Sequence, residues 1–365
     1  MTNILHIQPA LPRYRLDFFE RLHRCYAPGF KVIYSPGSLG ALTRPVSADW
    51  AVAVGPMRRL PGGLLWQSGV AGLPIGRGNI VILSGNPRQL STLVLLVRAR
   101  LRGARVVWWG HYWSSTSRRW RQILRHLPMA LADAILFYTD AEVDAFRSDA
   151  VLRGRARCVT ALNNGIDIGP IRQVRRPYSA AERDPALLFI GRLTDKADLG
   201  LGLKALALLG DGAPVLHVIG DGEQRAPLQA RARALGLEER IVWHGAVTDE
   251  AAIADIANRC RAFLYPGEVG LSLIHAMAYT LPAIVHDRPR LHMPEIAAFR
   301  IGETGLGFAC GDVHALARTI ETMLADPDRL DRFSAAAAQI VGPSFTTEDM
   351  ADRFEALVAH LENGK

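Results

Sequence analysis

The sequence predicts an α/β protein of two tandem, Rossmann-like, doubly wound domains facing each other across a cleft. Short, almost wholly apolar runs alternate with helical patterns through most of the 365 residues. Strands of that kind belong to parallel sheets covered by helices on both faces. The alternation restarts after an Arg/Pro/Ser-rich stretch at 172–184, which reads as a boundary. The length also exceeds what one ordinary core accommodates. The expected division is 1–175, 176–345, and a terminal helix at 346–365 that packs back towards the first domain.

In the first domain the runs 4–7, 31–34, 80–83, 104–108 and 134–138 read as strands, with helices at 14–26 and 91–102. In the second, 186–190, 215–219, 241–243, 262–265 and 283–285 read as strands, with helices such as 199–208 and 223–235. Ligands of open parallel sheets bind beyond the carboxyl ends of the strands. The strand-to-helix loops are therefore where chemistry is expected.

Composition narrows the class. Apolar residues make up 49% and charged residues 21%, a profile of soluble globular proteins rather than disordered chains. The opening Met1-Thr2-Asn3-Ile4-Leu5-His6 lacks a basic segment followed by an apolar one, so no signal peptide is expected. Apolar runs such as 93–97 and 134–138 are too short to span a bilayer. Cys25, Cys158, Cys260 and Cys310 are scattered and read as free thiols of a reducing cytoplasm. Charge is uneven: residues 1–175 hold 24 Lys and Arg against 9 Asp and Glu, the remainder 19 against 26. Arg13, Arg15, Arg21, Arg24, Arg98, Arg100, Arg102, Arg105, Arg118, Arg119, Arg121 and Arg125 cluster in the basic half. They read either as a solvated helix surface or as contact with anionic lipid or phosphate. A nucleic-acid partner is not expected, because aromatic-basic reader motifs are missing and the second half is acidic.

Three loops of the second half carry candidate chemistry. In Phe189-Ile190-Gly191-Arg192-Leu193-Thr194-Asp195-Lys196, a strand ends at Gly191 and two cations follow within five residues. A forked guanidinium and a compact ammonium suit a diphosphate, and Lys196 is one of four lysines in the chain. The bland alternative pairs Lys196 with Asp195 or Asp198. Val218-Ile219-Gly220-Asp221-Gly222-Glu223 permits a tight turn, but Arg225 stands where the third glycine of a dinucleotide-binding turn belongs, which argues against NAD. The richest segment runs from Tyr265-Pro266-Gly267-Glu268-Val269-Gly270 into a helix beginning near Leu271 or Ser272. The free amides of that helix start face a bound anion. Glu268 can accept sugar hydroxyls or simply complement the helix dipole, and His275, one turn in, reads as a ligand contact or a structural histidine.

Together these loops resemble the retaining glycosyltransferases of the GT-B fold, family 4. The resemblance runs through the second half in order: Asn163-Asn164-Gly165-Ile166-Asp167, Gly191-Arg192-Leu193 with Lys196, Gly220-Asp221-Gly222, Trp243-His244-Gly245, the signature at 265–282, and Pro294-Glu295 with 302–305. It implies donor contacts from Gly191, Gly220, Gly222, Gly267, Val269, Gly270, Leu271, Ser272 and His275, and catalytic roles for Arg192, Lys196, Glu268 and His111. The family signature carries two glutamates with seven residues between them, the first for the donor sugar and the second for the ribose. Here Gly267 and His275 occupy those positions, Glu268 lies one residue beyond the first, and Thr280 replaces a common glycine.

The first half resembles the family less specifically, as expected of an acceptor side. Its candidates are Pro12, Arg13, Tyr14 and Arg15 after the first strand and Asn86 and Arg88 after the third. His111 follows Trp108-Trp109-Gly110 and is similar to the family histidine that reaches the donor sugar. The resemblance implies transfer from a UDP- or GDP-linked sugar to a saccharide or lipid-linked saccharide in bacterial polysaccharide or glycoconjugate assembly. No further cofactor is expected, and no divalent metal, since no Asp-x-Asp motif stands in a suitable loop. The expected location is cytoplasmic, with an anionic membrane surface as a further partner. The competing readings are a sugar-nucleotide epimerase on the same fold and a degenerate binding or scaffold protein.

Overall fold

The computed structural model describes residues 3–37, 48–112, 126–149 and 158–363. Arg118, Arg119, Arg121 and Arg125 of the basic cluster lie outside them. The chain forms two compact units, Met1–Asn163 with Thr347–Lys365, and Asn164–Thr346. The division thus falls before 175, and for a physical reason. Residues 164–184 are polar but engaged with the second unit: Ile168 and Ile171 are buried in its core. Arg175 also donates to Ala278 O at 2.8 Å, and Tyr178 Oη to Arg261 O at 2.6 Å. A stretch that reads as a linker is a packed layer.

The first unit contains β1 Asn3–Ile7, β2 Phe30–Tyr34, β3 Ala51–Ala53, β4 Met57–Leu60, β5 Leu64–Gln67, β6 Asn79–Ser84, β7 Arg105–Trp109, β8 Ala134–Phe137 and β9 Cys158–Ala161. Its helices include α1 Leu16–Tyr26, α2 Leu90–Leu101 and α3 Asp140–Ser148. The main sheet is parallel in the order β3-β2-β1-β6-β7-β8-β9, and β4–β5 is a separate antiparallel ribbon. Alternate residues of each strand enter opposite cores. Ile80 and Ile82 face α1, while Val81 and Leu83 face α2, the period-two consequence of the pleat.

The second unit contains β10 Asp184–Ile190, β11 Val215–Ile219, β12 Ile241–Gly245, β13 Cys260–Leu264, β14 Ala283–His286 and β15 Gly305–Phe308. Its helices are α4 Gly169–Val174, α5 Leu199–Leu208, α6 Arg225–Ala234, α7 Glu250–Ala257, α8 Leu271–Ala278, α9 Val313–Leu324 and α10 Pro327–Ser344. The sheet is parallel in the order β12-β11-β10-β13-β14-β15. The last helix, α11 Thr347–Asn363, belongs to the first unit, where Phe354, Leu357, Val358 and Leu361 join α1 in one core. In both sheets the order reverses at one place, between β1 and β6 and between β10 and β13. In open parallel sheets the carboxyl ends of the strands at such a reversal are where ligands bind.

Candidate active site

In the second unit the loops leaving β10 and β13 flank that reversal. Backbone bonds tie them together: Gly267 N–H donates to Ala197 O at 3.1 Å and Glu268 N–H to Lys196 O at 2.8 Å. A Cβ on Gly267 would stand 2.0 Å from Lys196 O, so the position that carries the family's first glutamate has no space for a side chain. The carboxylate stands one residue later instead. Glu268 Oε2 meets Lys196 Nζ at 2.7 Å, with the lysine 69% exposed. Arg192 lies 3.6 Å from Glu223, both side chains more than half exposed.

The glycines of the neighbouring turns serve packing too. A Cβ on Gly220 would stand 1.8 Å from Gly191 O, and one on Gly222 2.2 Å from Leu193 O. Gly191 N–H donates to Ile219 O, Gly220 N–H to Gly245 O, and Gly222 N–H to Asp221 Oδ1. The Gly220-Asp221-Gly222 turn therefore uses its freedom to stack loops on one another. Val269 is likewise engaged: buried, it donates its N–H to His292 Nδ1 at 3.1 Å. The amides at the start of α8, at Leu271 and Ser272, have no carbonyl partner within the helix. Gly270, the preceding cap, supplies no side chain to them. Ser272 Oγ sits 3.2 Å from where a Cβ of Gly191 would be, so this helix start abuts the β10 loop.

Two histidines and a glutamate that sequence reasoning missed organise this rim. His292 Nε2 lies 3.0 Å from His286 O. A carbonyl only accepts, so that nitrogen carries the proton and Nδ1 accepts from Val269. The imidazole is neutral, and burial lowers its pKa to about 4. It also stacks on His286 with centroids 3.7 Å apart. His275 is not alone at the second signature position: its Nε2 lies 3.1 Å from the Glu250 carboxylate, which Tyr279 Oη also reaches at 2.7 Å. Partial burial raises the Glu250 pKa, but the His275 and Tyr279 bonds outweigh it and hold the group below the ordinary carboxyl value. An acidic residue in the first turn of a helix is too common to have flagged Glu250. Glu295 is buried and bonded to Asn164 Nδ2, close to Gly270.

In the first unit the loops after β1, β6 and β7 lie at the corresponding reversal. Gly85 and Gly110 bring two of them into contact, since a Cβ on Gly85 would stand 2.5 Å from Gly110 Cα. Arg13 and Tyr14 are exposed and Pro12 is buried. Arg15 is also turned inward: 6% exposed, it lies over the Trp109 ring at 5.2 Å and donates to Met350 Sδ at 3.5 Å. That corrects its place among exposed contacts, because its charge is used against an aromatic face inside the unit. Asn86 Oδ1 accepts from Arg88 N–H at 3.1 Å, leaving the Arg88 side chain exposed. His111 stacks on Tyr138 at 4.3 Å, and its Nδ1 lies 3.5 Å from Glu142 Oε1. Glu142, 1% exposed, also accepts from the Tyr112 and Tyr138 amides and so holds both sides of this rim.

Comparison with known proteins places the second unit. Residues 171–340 match the family described as Glycosyl transferases group 1. This stretch is a glycosyl transferases group 1 domain. Among curated relatives, EpsD of Bacillus subtilis is 27% identical over 237 residues, covering 60% of this chain and 61% of that protein. The lipopolysaccharide 1,6-galactosyltransferase of Salmonella typhimurium is 29% identical over 144 residues, 36% of this chain and 39% of that one. The matches thus span less than two thirds of either relative. Anabaena HepE, solved in complex with UDP, is similar over 98% of this chain and 100% of its own, with a TM-score of 0.69 and 16% identity. That likeness shows the fold, the GT-B class of two parallel α/β units. The glycosyl transferases group 1 domain contains the Lys196–Glu268 pair, the α8 start and the Glu250–His275 pair.

Proposed function

We propose that the protein is a retaining, metal-independent glycosyltransferase that moves a sugar from a UDP- or GDP-linked donor to a saccharide or lipid-linked saccharide in bacterial polysaccharide or glycoconjugate assembly. One observation carries this reading. Lys196, Glu268 and the uncapped start of α8 converge at the reversal of a parallel sheet, inside a glycosyl transferases group 1 domain. An ammonium and free helix-start amides stabilise negative charge as it grows on a departing diphosphate. Glu268, already held by the lysine, accepts hydroxyls of the donor sugar. Arg192 adds charge at the outer edge of the same loop.

The carboxylate missing from the second signature position is supplied by Glu250, with His275 as its partner, and takes the ribose hydroxyls. His111 keeps Nδ1 towards Glu142 and offers its other nitrogen to a sugar hydroxyl. The departing phosphate receives the acceptor proton, so the protein supplies charge stabilisation and orientation rather than a general base. No cofactor beyond the nucleotide sugar takes part, and the protein works in the cytoplasm, attached peripherally to the membrane. Relatives named for lipopolysaccharide synthesis, the Salmonella enzyme and LpsE of Rhizobium meliloti, support the acceptor class.

Titration calorimetry with UDP- and GDP-sugars, followed by nucleotide release in the presence of polysaccharide or lipid-linked acceptors, tests the reading. Binding of one donor and acceptor-dependent release are expected, with an unchanged rate in EDTA and an unchanged anomeric configuration by NMR. Failure to bind either donor refutes it.

A further inference from the structure

We propose that His292 is a positioning residue for donor binding: its imidazole fixes the peptide between Glu268 and Val269 and thereby aims the Glu268 carboxylate at the donor sugar. The proposal rests on the reading of Glu268 as a donor-sugar contact, and it gives a task to a buried imidazole that the transfer step leaves unused. The loop after β13 is held by two segments. In the loop after β10, Ala197 O and Lys196 O accept from the Gly267 and Glu268 amides at 3.1 and 2.8 Å. In the segment after β14, His292 Nδ1 accepts from the Val269 amide at 3.1 Å, and Met293 N–H donates to Val269 O at 2.9 Å. Three consecutive amides are thus engaged, and Glu268 is the middle residue. Its carboxylate meets Lys196 Nζ at 2.7 Å, from a backbone that cannot turn without breaking one of these bonds.

The imidazole can hold the loop because it is itself held. Its Nε2 donates to His286 O at 3.0 Å, at the end of β14. The ring is buried and stacks on His286 at 3.7 Å with 18° between the planes. His286 is fixed in turn: its Nδ1 accepts from the Arg288 amide at 3.2 Å, and its ring meets Phe308 of β15 edge-on at 6.3 Å. The hold on Val269 therefore runs back to two strands of the sheet. Both rings lie within electrostatic reach of Glu268. Beyond Val269 the same segment backs the entry to α8, since a Cβ on Gly270 would stand 3.1 Å from Met293 Cγ. Bridging an amide and a carbonyl takes one acceptor and one donor nitrogen, which a neutral imidazole has and a leucine of similar bulk lacks. Asparagine keeps an acceptor for the Val269 amide. Met293 has φ of −72° and follows a residue with φ of −75° and ψ of 168°. That backbone is already one that proline and its predecessor adopt, so M293P deletes the second bond to Val269 with little change of chain path.

Titration calorimetry of the full chain with UDP and UDP-glucose tests this, or with GDP and GDP-mannose where wild type takes the guanine nucleotide. H292L is expected to bind the sugar nucleotide about tenfold more weakly, the loss of one hydrogen bond to a charged group. Its affinity for the bare nucleotide should change by less than about twofold, because Glu268 meets only the sugar. His292→Asn should return the sugar nucleotide to within about threefold of wild type by keeping the acceptor. E268A/H292L should bind no more weakly than E268A alone, as residues acting through one another are not additive. If H292L melts too early to titrate, M293P is compared with E268A in the same way. Unchanged binding by H292L, an equal loss for bare and sugar nucleotide, an Asn variant as weak as the Leu variant, or losses that add to that of E268A overturns the proposal. E268A binding as wild type does overturns the Glu268 contact and the positioning role together. Wild type that binds neither sugar nucleotide refutes the proposed function itself, and this role with it.

Discussion

Replacing Lys196 by Ala separates the stability of the β10 loop from its proposed chemistry. The lysine side chain is 69% exposed, and its ion pair with Glu268 at 2.7 Å, the one it makes among the described residues, is open to water. Exposed pairs of this kind contribute about 0–1 kcal/mol to stability. The loop contact itself runs through the Lys196 carbonyl, which accepts from the Glu268 amide and is untouched by the substitution. No cavity forms, and the melting temperature is expected to fall by no more than about 4 °C. Activity behaves differently. Removing one preorganised donor aimed at developing negative charge costs roughly 100- to 1,000-fold in kcat, or about 3–4 kcal/mol. The assay is acceptor-dependent nucleotide release under saturating donor, beside a thermal melt of the same preparation. A loss in kcat smaller than tenfold refutes the electrostatic role. A fall in melting temperature well beyond about 4 °C refutes the claim that the pair is structurally dispensable.

Thr280 adopts a left-handed backbone with φ of 61° just after α8, a conformation that costs a non-glycine residue about 1–2 kcal/mol. Thr280→Gly removes that strain against about 0.5–1 kcal/mol of added chain entropy, so a slightly higher urea midpoint is expected, and a lower one rejects the strain. His292 has a pKa lowered by burial to about 4, below the ordinary 6.5. The unfolded chain therefore binds its proton first as pH falls, and the stabilisation present above pH 6.5 is lost progressively towards pH 4. His292→Asn should flatten that part of the stability–pH curve, and an unchanged slope would show that the imidazole is not the titrating group. Glu250→Ala is expected to raise the donor KM about tenfold with kcat little changed, as loss of uniform binding does. A donor lacking the ribose 2′-hydroxyl should lose less on the same substitution, and an equal loss rules out the ribose contact.

Much of the fold was legible because it is written locally. The apolar runs at 4–7, 80–83, 186–190 and 262–265 coincide with β1, β6, β10 and β13, since strands buried on both faces admit few polar residues. The Arg/Pro/Ser-rich stretch misled because composition does not register partners. Arg175 and Tyr178 are bonded to Ala278 and Arg261, residues about a hundred positions away or somewhat fewer. At the site, glycine positions were legible and their purpose was not. Gly220, Gly222 and Gly267 look like openings for a ligand, whereas each accommodates a neighbouring carbonyl. Arg15 looked like a surface cation and is buried against Trp109, a contact that depends on where β7 lies.

By itself, then, the sequence determined the parallel α/β class, the second domain's ordered motifs and the loops that bear Lys196 and Glu268. Periodicity and strand-to-helix turns are properties of consecutive residues, so they survive without coordinates. Only the tertiary structure decided which amides are already engaged, why the first signature glutamate is displaced by one residue, and that Glu250 stands beside His275. Those depend on partners far apart in the chain, 72 positions for Lys196 with Glu268 and 25 for His275 with Glu250. Such distances close only when the sheet order sets their loops side by side.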